Sequence, residues 1–231
     1  MSEKIYNDHS QARSATNEFY NDKSGFSYTD ETVDLWLDIY LARAIPNKAK
    51  ILDLCCGDGV WSKGFKRRLP EATLHGIDIS SGGIQKAKTL LAGDAENFLV
   101  GDAESTLPWE DAFFDLIFAR GPGLFNQHSM DRPATIAVIE SWHEKLSKSG
   151  KMISSFYADP QKFGTYTNPL EVALPYNRAP RLTDTVDFTG GKYHSDIQTF
   201  LAPFWKAKNV KIVDYRFIRN NHILLTSLDR T

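Results

Sequence analysis

Residues 51–62 read Ile51-Leu52-Asp53-Leu54-Cys55-Cys56-Gly57-Asp58-Gly59-Val60-Trp61-Ser62. A short apolar run carrying one acid meets two cysteines and then a Gly-Asp-Gly turn. Two chemistries compete for this stretch. Adjacent cysteines suggest a metal or a redox couple. Glycines directly after a strand suggest a loop that lets a ligand approach the main chain.

Cysteine arithmetic weakens the first reading. Cys55 and Cys56 are the only two cysteines in 231 residues. Neighbours in sequence rarely bridge, because disulfide geometry does not suit them. A lone Cys pair also lacks the further Cys or His ligands of a zinc site, so no metal is expected. Two unbridged thiols fit a reducing, cytoplasmic setting. Met1-Ser2-Glu3-Lys4 leads into polar sequence without a signal-peptide pattern, and no run of about 18 apolar residues marks a membrane span.

Hydrophobic residues make up 42% of the chain and charged residues 24%, which is ordinary globular usage. The length suits one large domain, or one domain with an appended lid. A net charge of −2 speaks against a chain built as a whole to bind polyanions. The charge is uneven: residues 1–139 hold 14 Lys/Arg against 20 Asp/Glu, and residues 140–231 hold 13 against 9. The basic C-terminal part suits an anionic substrate or a solvated mixed surface.

No internal repeat or low-complexity tract interrupts the chain. Tyr6 to Asp22 is polar with scattered aromatics and reads as a surface helix or an arm. Asp30-Glu31-Thr32 opens an amphipathic helix that Pro46-Asn47 ends. Strands and helices then alternate. Strands are expected over 50–54, 73–79, 97–101, 113–119 and 151–157. Helices are expected over 60–69, from the Ser80-Ser81 cap through 91, and over 132–146, the last ended by a turn at Gly150. Residues 158–193, rich in proline and aromatics, break the rhythm and read as an irregular insertion that is either a lid or a structural excursion. A helix over 194–206 and two strands, 210–217 and 222–228, joined at Asn220-Asn221, close the chain. The expected fold is α/β: a seven-stranded, mostly parallel, doubly wound sheet with a C-terminal antiparallel hairpin, N-terminal helices and a lid insertion. Within one domain, residues 1–46 would cap a core of 48–157, residues 158–193 would form the lid, and 194–231 the terminal helix and hairpin.

In an open α/β sheet, ligands bind at the carboxyl ends of the strands, at the switch point. Gly57 and Gly59 follow the first strand, where glycine lets the backbone come close to a ligand. Asp78 ends the second strand, about 20 residues after the glycines, the spacing at which a carboxylate meets the hydroxyls of a ribose. Asp102 ends the third strand, where a carboxylate suits an exocyclic amine of adenine. Taken singly, Asp78 could equally be a helix cap and Asp102 a turn residue. A dinucleotide site wants G-x-G-x-x-G, but here Ser62 stands at the third glycine. Asp53, inside the strand just before the loop, is also wrong for a pyrophosphate and right for an ammonium or sulfonium group.

These stretches together resemble the class I S-adenosylmethionine-dependent methyltransferases. Residues 51–59 are similar to that family's first motif, 74–80 (LHGIDIS) to its acidic second, 101–109 (GDAESTLPW) to its third, and 113–121 (FFDLIFARG) to its fourth strand and loop. Residues 146–156 (LSKSGKMISSF) are similar to the segment entering the fifth strand. The resemblance implies S-adenosyl-L-methionine as cofactor. It implies that Asp53 supports the loop and the methionine amino group, and that Cys55 and Gly57 offer backbone contacts to the methionine end. Asp78 would hold the ribose with Ile79 against the adenine, Asp102 and Ala103 would meet the adenine edge, and Arg120 would face the transferable methyl. Cys55 stands where the family most often has glycine.

The acceptor is less legible. His128, in the loop after the fourth strand, is a candidate general base by location, beside Arg120 as a second candidate catalytic residue; a loop histidine is commonly only a surface residue. The loop reads Ala119-Arg120-Gly121-Pro122-Gly123, without the Asn/Asp-Pro-Pro-aromatic tetrapeptide of methyltransferases acting on DNA amines or protein glutamine. That argues against methylation of a DNA-base amine or a glutamine amide; with no RNA-binding appendage visible, nucleic acid is disfavoured and a small-molecule acceptor, anionic or aromatic, is the default. Phe125, Phe156, Tyr157, Tyr166 and Tyr176 are candidate walls, and Tyr20 and Tyr28 candidate contacts from the N-terminal arm. The alternatives are a non-catalytic protein binding the cofactor or its demethylated product, and an enzyme methylating RNA or protein. Oligomeric state cannot be read from the sequence.

Overall fold

The computed structural model describes residues 28–41, 45–121, 133–157, 204–218 and 221–230, together with Ser14, Asn17, Glu18, Asn21, Leu201 and Ala202. Helix α1 spans Asp30–Tyr40, and the Thr29 hydroxyl caps it by accepting the Thr32 amide. Strand β1 is Lys50–Leu54, helix α2 Val60–Arg68, strand β2 Thr73–Asp78 and helix α3 Ser81–Leu90. A 3₁₀ turn over Ala92–Asn97 leads into β3, Phe98–Val100. Strand β4 is Phe114–Arg120, helix α4 Pro133–Glu144, strand β5 Leu146–Tyr157, strand β6 Val210–Ile218 and strand β7 Asn221–Leu228.

The seven strands form one sheet in the order β3-β2-β1-β4-β5-β7-β6. The first five strands run parallel, and β7 lies antiparallel between β5 and β6. The expected fold class is therefore observed. Near-continuous apolar runs make β1 and β4 the buried centre, as parallel strands covered on both faces require. Alternating side chains feed two cores. Leu52, Leu54, Ile117, Ala119, Ile139 and Trp142 pack on the α4 side. Ile51, Leu116 and Phe118 pack with Trp36, Leu37, Trp61 and Phe65 on the side of α1 and α2.

Among the described elements, bounds agree with the expected ones to within one or two residues, except at α1, which stops at Tyr40 and not at Pro46, and at β5. That strand begins at Leu146 rather than 151, so Gly150 lies inside it and not at a turn after the helix. The pairing with β4 slips between Phe114 and Leu116, which absorbs residues 147–150 as an irregularity of the ladder. Gly150 fits there because a Cβ would come within 2.8 Å of the Phe114 carbonyl oxygen.

Helix α1 is tied to the core at three places. Gly64 of α2 permits close approach, since a Cβ there would lie 2.5 Å from Val33 Cγ1 and 2.8 Å from Leu37 Cδ1. Asp30, Asp34 and Asp38 form one stripe on α1, and Lys63, Arg67 and Arg68 of α2 pair with it. The Tyr40 hydroxyl shares a hydrogen bond of 3.2 Å with Ser155 Oγ on β5. The 158–193 insertion lies outside the described residues.

Candidate functional site

The chain leaves β1 toward β2 on one side of the sheet and returns through β4 on the other, so the switch point lies between the tips of β1 and β4. Three turns gather at these carboxyl ends. The first follows β1. Cys55, Gly57 and Gly59 all have positive φ, at 57°, 55° and 78°. This left-handed path turns the loop back over the sheet and opens α2 without a side-chain cap at Gly59. A Cβ on Gly59 would sit 2.8 Å from Ala87 Cβ, so α3 also presses on the loop.

Asp78, at the tip of β2, is 6% exposed. Its Oδ2 accepts the Gly57 amide at 2.9 Å and its Oδ1 the Ser80 amide at 2.8 Å. It therefore fixes the glycine loop and the entry to α3 together, while Ser80 Oγ caps that helix by accepting the Gly83 amide. Burial raises the Asp78 pKa against the opposing effect of these two amides. Ile79 follows and is half-buried. The arm reaches this turn: Ser80 Oγ donates to Asn17 Oδ1 at 2.9 Å.

Asp53 is 3% exposed, and its Oδ2 accepts the Ser62 hydroxyl at 2.5 Å. Ser62, which occupies the place of the third glycine, thus gives the buried acid a neutral partner. Burial pushes Asp53 up to about 7; the neighbouring Asp78 adds to this, while Ser62 and Arg120 oppose it. Asp102 forms a turn after β3, its Oδ1 accepting the Glu104 amide at 2.9 Å. Ala103 is buried beneath, and its carbonyl accepts the Trp142 indole N–H at 2.6 Å.

Arg120 ends β4, one step beyond the pair Leu54–Ala119 and opposite Ser155 of β5. Its guanidinium donates to the Tyr28 hydroxyl at 2.8 Å and lies 5.0 Å from the Tyr28 ring and 4.6 Å from the Trp61 ring. In the sequence Tyr28 stands out only as a conditional contact, Ser62 only as the residue in place of the third glycine, and Trp61 not at all. No local pattern links Ser62 to Asp53 or Trp61 to Arg120; only the turn at Gly57–Gly59 and the packing of α2 bring them together.

The structure thus gathers Asp53, Cys55, Gly57, Gly59, Asp78, Ile79, Asp102, Ala103 and Arg120 at the ends of four adjacent strands. His128 lies outside the described residues, as do Tyr20, Phe125, Tyr166 and Tyr176. Cys55 and Cys56 are free. Burial, with neighbouring carboxylates adding to it, holds both thiols well above their ordinary pKa. Cys56 is a core residue beside Gly76. Among the described residues no helix is long and apolar enough to cross a membrane.

Buried acids beside a positive-φ glycine loop suit a ligand that carries a cationic amino-acid end and a nucleoside, and they do not suit a pyrophosphate. Comparisons with known proteins agree. Residues 51–150 match a methyltransferase domain family. Demethylmenaquinone methyltransferase of Lactococcus lactis is 32% identical over 107 residues, covering 45% of this chain and 40% of that protein. Ribosomal RNA small subunit methyltransferase C of Haemophilus influenzae is 29% identical over 131 residues, covering 54% of this chain and 38% of that protein. The chain thus spans about two fifths of the length of the curated relatives it matches. Among solved structures, the CcbJ methyltransferase of Streptomyces caelestis is similar with a TM-score of 0.61 at 12% identity, covering 93% of this chain and 98% of that one. Family and fold imply S-adenosyl-L-methionine as the cofactor. Residues 51–150 carry the matched methyltransferase segment, and the whole sheet, in the order 3-2-1-4-5-7-6 with acid-tipped parallel strands, has the Rossmann-like fold of class I methyltransferases.

Proposed function

We propose that this protein transfers the methyl group of S-adenosyl-L-methionine to a small-molecule acceptor. The observation that carries the reading is the Asp78–Gly57 hydrogen bond at the switch point. It sets a carboxylate and a glycine loop side by side, where a nucleoside and an amino-acid tail can lie across the strand tips. In this reading Asp78 meets the ribose hydroxyls with Ile79 beside the adenine, and Asp102 and Ala103 border the adenine edge. Gly57, Gly59 and the Cys55 backbone cradle the methionine end, and Asp53 attracts its ammonium.

Methyl transfer from a sulfonium is an in-line displacement in which the donor is already activated by its charge. The protein's part is to align the two partners and keep water out. Arg120 and the aromatic rings of Tyr28 and Trp61 stand at the β4 tip, on the acceptor side of such a cofactor. His128 is proposed as the general base for an acceptor that must lose a proton.

A small acceptor is favoured by the loop Ala119-Arg120-Gly121-Pro122-Gly123, which lacks the Asn/Asp-Pro-Pro-aromatic sequence suited to amines of DNA bases or glutamine, and by the modest net charge. The name of one relative specifies ribosomal RNA, so a macromolecular acceptor is the second reading. The experiment is incubation with methyl-labelled cofactor and fractionated cell extract. Label in the small-molecule fraction supports the proposal, label in RNA or protein supports the second reading, and failure of calorimetry to detect cofactor binding removes both.

A further inference from the structure

We propose that Arg120 takes the carboxylate of the cofactor's methionine end, with Tyr28 and Trp61 as positioning residues that aim the guanidinium. This rests on the cofactor reading above and assigns Arg120 a partner other than the transferable methyl.

An acid and a base stand side by side at the switch point. Asp53 and Arg120 stand on the central strands β1 and β4 and face the same side of the sheet: Asp53 Oδ2 meets Ser62 of α2, and Arg120 meets Trp61 of the same helix. They are close enough for Arg120 to favour the ionised form of Asp53. Yet among the described residues they form no ion pair with each other. Each is held by neutral groups instead, Asp53 by the Ser62 hydroxyl and Arg120 by the hydroxyls of Tyr28 and Tyr40. Buried charges are costly unless they find partners. A zwitterionic amino acid supplies both partners at once, its ammonium for Asp53 and its carboxylate for Arg120.

The guanidinium is also prepared for such a partner. It has five N–H donors. One nitrogen, Nη2, is engaged by Tyr28. The Nε is shielded from solvent and has no hydrogen-bond partner. The Tyr28 and Trp61 rings restrict its orientation. A planar fork held in this way suits a two-pronged bond to a carboxylate, which lysine's point charge does not reproduce. Tyr28 precedes the Thr29 cap of α1, so the N-terminal segment itself contributes to the aim.

The test uses S-adenosylhomocysteine, its decarboxylated analogue, and 5′-methylthioadenosine, which keeps the nucleoside and lacks the amino acid. Calorimetry is run on wild type, Arg120→Gln and Arg120→Lys, with melting curves to confirm folding. The expected result is that Arg120→Gln weakens S-adenosylhomocysteine about 10- to 100-fold while methylthioadenosine is unchanged, with partial rescue by Arg120→Lys. The wild type alone should prefer S-adenosylhomocysteine over the decarboxylated analogue about 10-fold or more, a readout that holds even if the variants fail to fold. Equal affinity for those two ligands, or equal losses of S-adenosylhomocysteine and methylthioadenosine in Arg120→Gln, overturns the assignment. If wild type binds methylthioadenosine and shows no carboxylate preference, only this inference fails. If it binds none of the three, the cofactor reading fails with it.

Discussion

The Asp78 carboxylate accepts the Gly57 amide at 2.9 Å across a separation of 21 residues, so the tip of β2 holds the loop that follows β1. The same carboxylate takes the Ser80 amide. A residue expected to face a ribose is thus also the residue that shapes the loop beside it.

Asp78→Ala should therefore lower both stability and cofactor affinity. It leaves two buried amides without acceptors, at about 1–3 kcal/mol each. Asp78→Asn keeps one acceptor oxygen and should cost less stability, yet lose much of the affinity because an amide is a poorer acceptor for two hydroxyls. Urea melts alongside calorimetry with S-adenosylhomocysteine separate the two effects. Full affinity in either variant would remove Asp78 from the ribose.

Cys55 has φ of 57°, a conformation that costs a residue with a Cβ about 1–2 kcal/mol. Cys55→Gly removes this strain and adds unfolded-chain entropy worth about 0.4–1 kcal/mol. The net expectation is a neutral or slightly raised melting temperature with cofactor binding retained. Loss of binding would show that the thiol itself matters. In wild type the raised pKa of Cys55 should make it react slowly with iodoacetamide at pH 8.

Two buried groups should give opposite pH slopes. Asp53 is raised to about 7 from 3.8, so the native state keeps a proton that the unfolded chain releases; its contribution is full below about pH 4 and is lost as pH rises through 7. His143 is lowered to about 4 from 6.5, chiefly by burial, so its contribution is full above 6.5 and is lost as pH falls through 4. Asp53→Asn should flatten the loss of stability between pH 5 and 8, and its gain over wild type should be larger at pH 8 than at pH 5.5. His143→Gln should flatten the loss on the acid side. Denaturant titrations at pH 5, 6.5 and 8 decide, and parallel curves for wild type and Asp53→Asn would show that Asp53 does not titrate in this range.

Gly64→Ala should loosen α1. The added methyl would meet Val33 and Leu37 at 2.5 and 2.8 Å, and overpacking of this kind costs about 1–3 kcal/mol. Because α1 carries Tyr40 to Ser155 and follows Tyr28 at Arg120, cofactor affinity should fall as well. Limited proteolysis should cut the N-terminal segment faster in the variant than in wild type. An unchanged cleavage rate would mean that α2 yields instead of α1.

Much of the fold was legible because its signals are local. Apolar runs of five to seven residues marked the central strands, Ser80-Ser81 and Asp30-Glu31-Thr32 marked helix starts, and the acids at 53, 78 and 102 fell at strand ends by spacing alone. Gly150 was misplaced because a glycine after a helix pattern looks like a turn, whereas Leu146 already pairs with Phe114 of β4 and residues 147–150 bulge between that pair and Leu116–Lys151.

The sequence by itself determined the order of strands, the glycine loop and the acids beside it, since period, capping and turn chemistry act over a few residues. The tertiary structure decided the partners. Ser62 on Asp53, Tyr28 on Arg120 across 92 residues, and His143 on Thr226 across 83 depend on how α1, α2 and α4 settle on the sheet. Such contacts follow from sheet register and close helix packing, which no local pattern encodes. They change the reading of the opening stretch as well: Cys55 matters for its left-handed backbone, and Asp53 for a buried carboxyl that Ser62 holds.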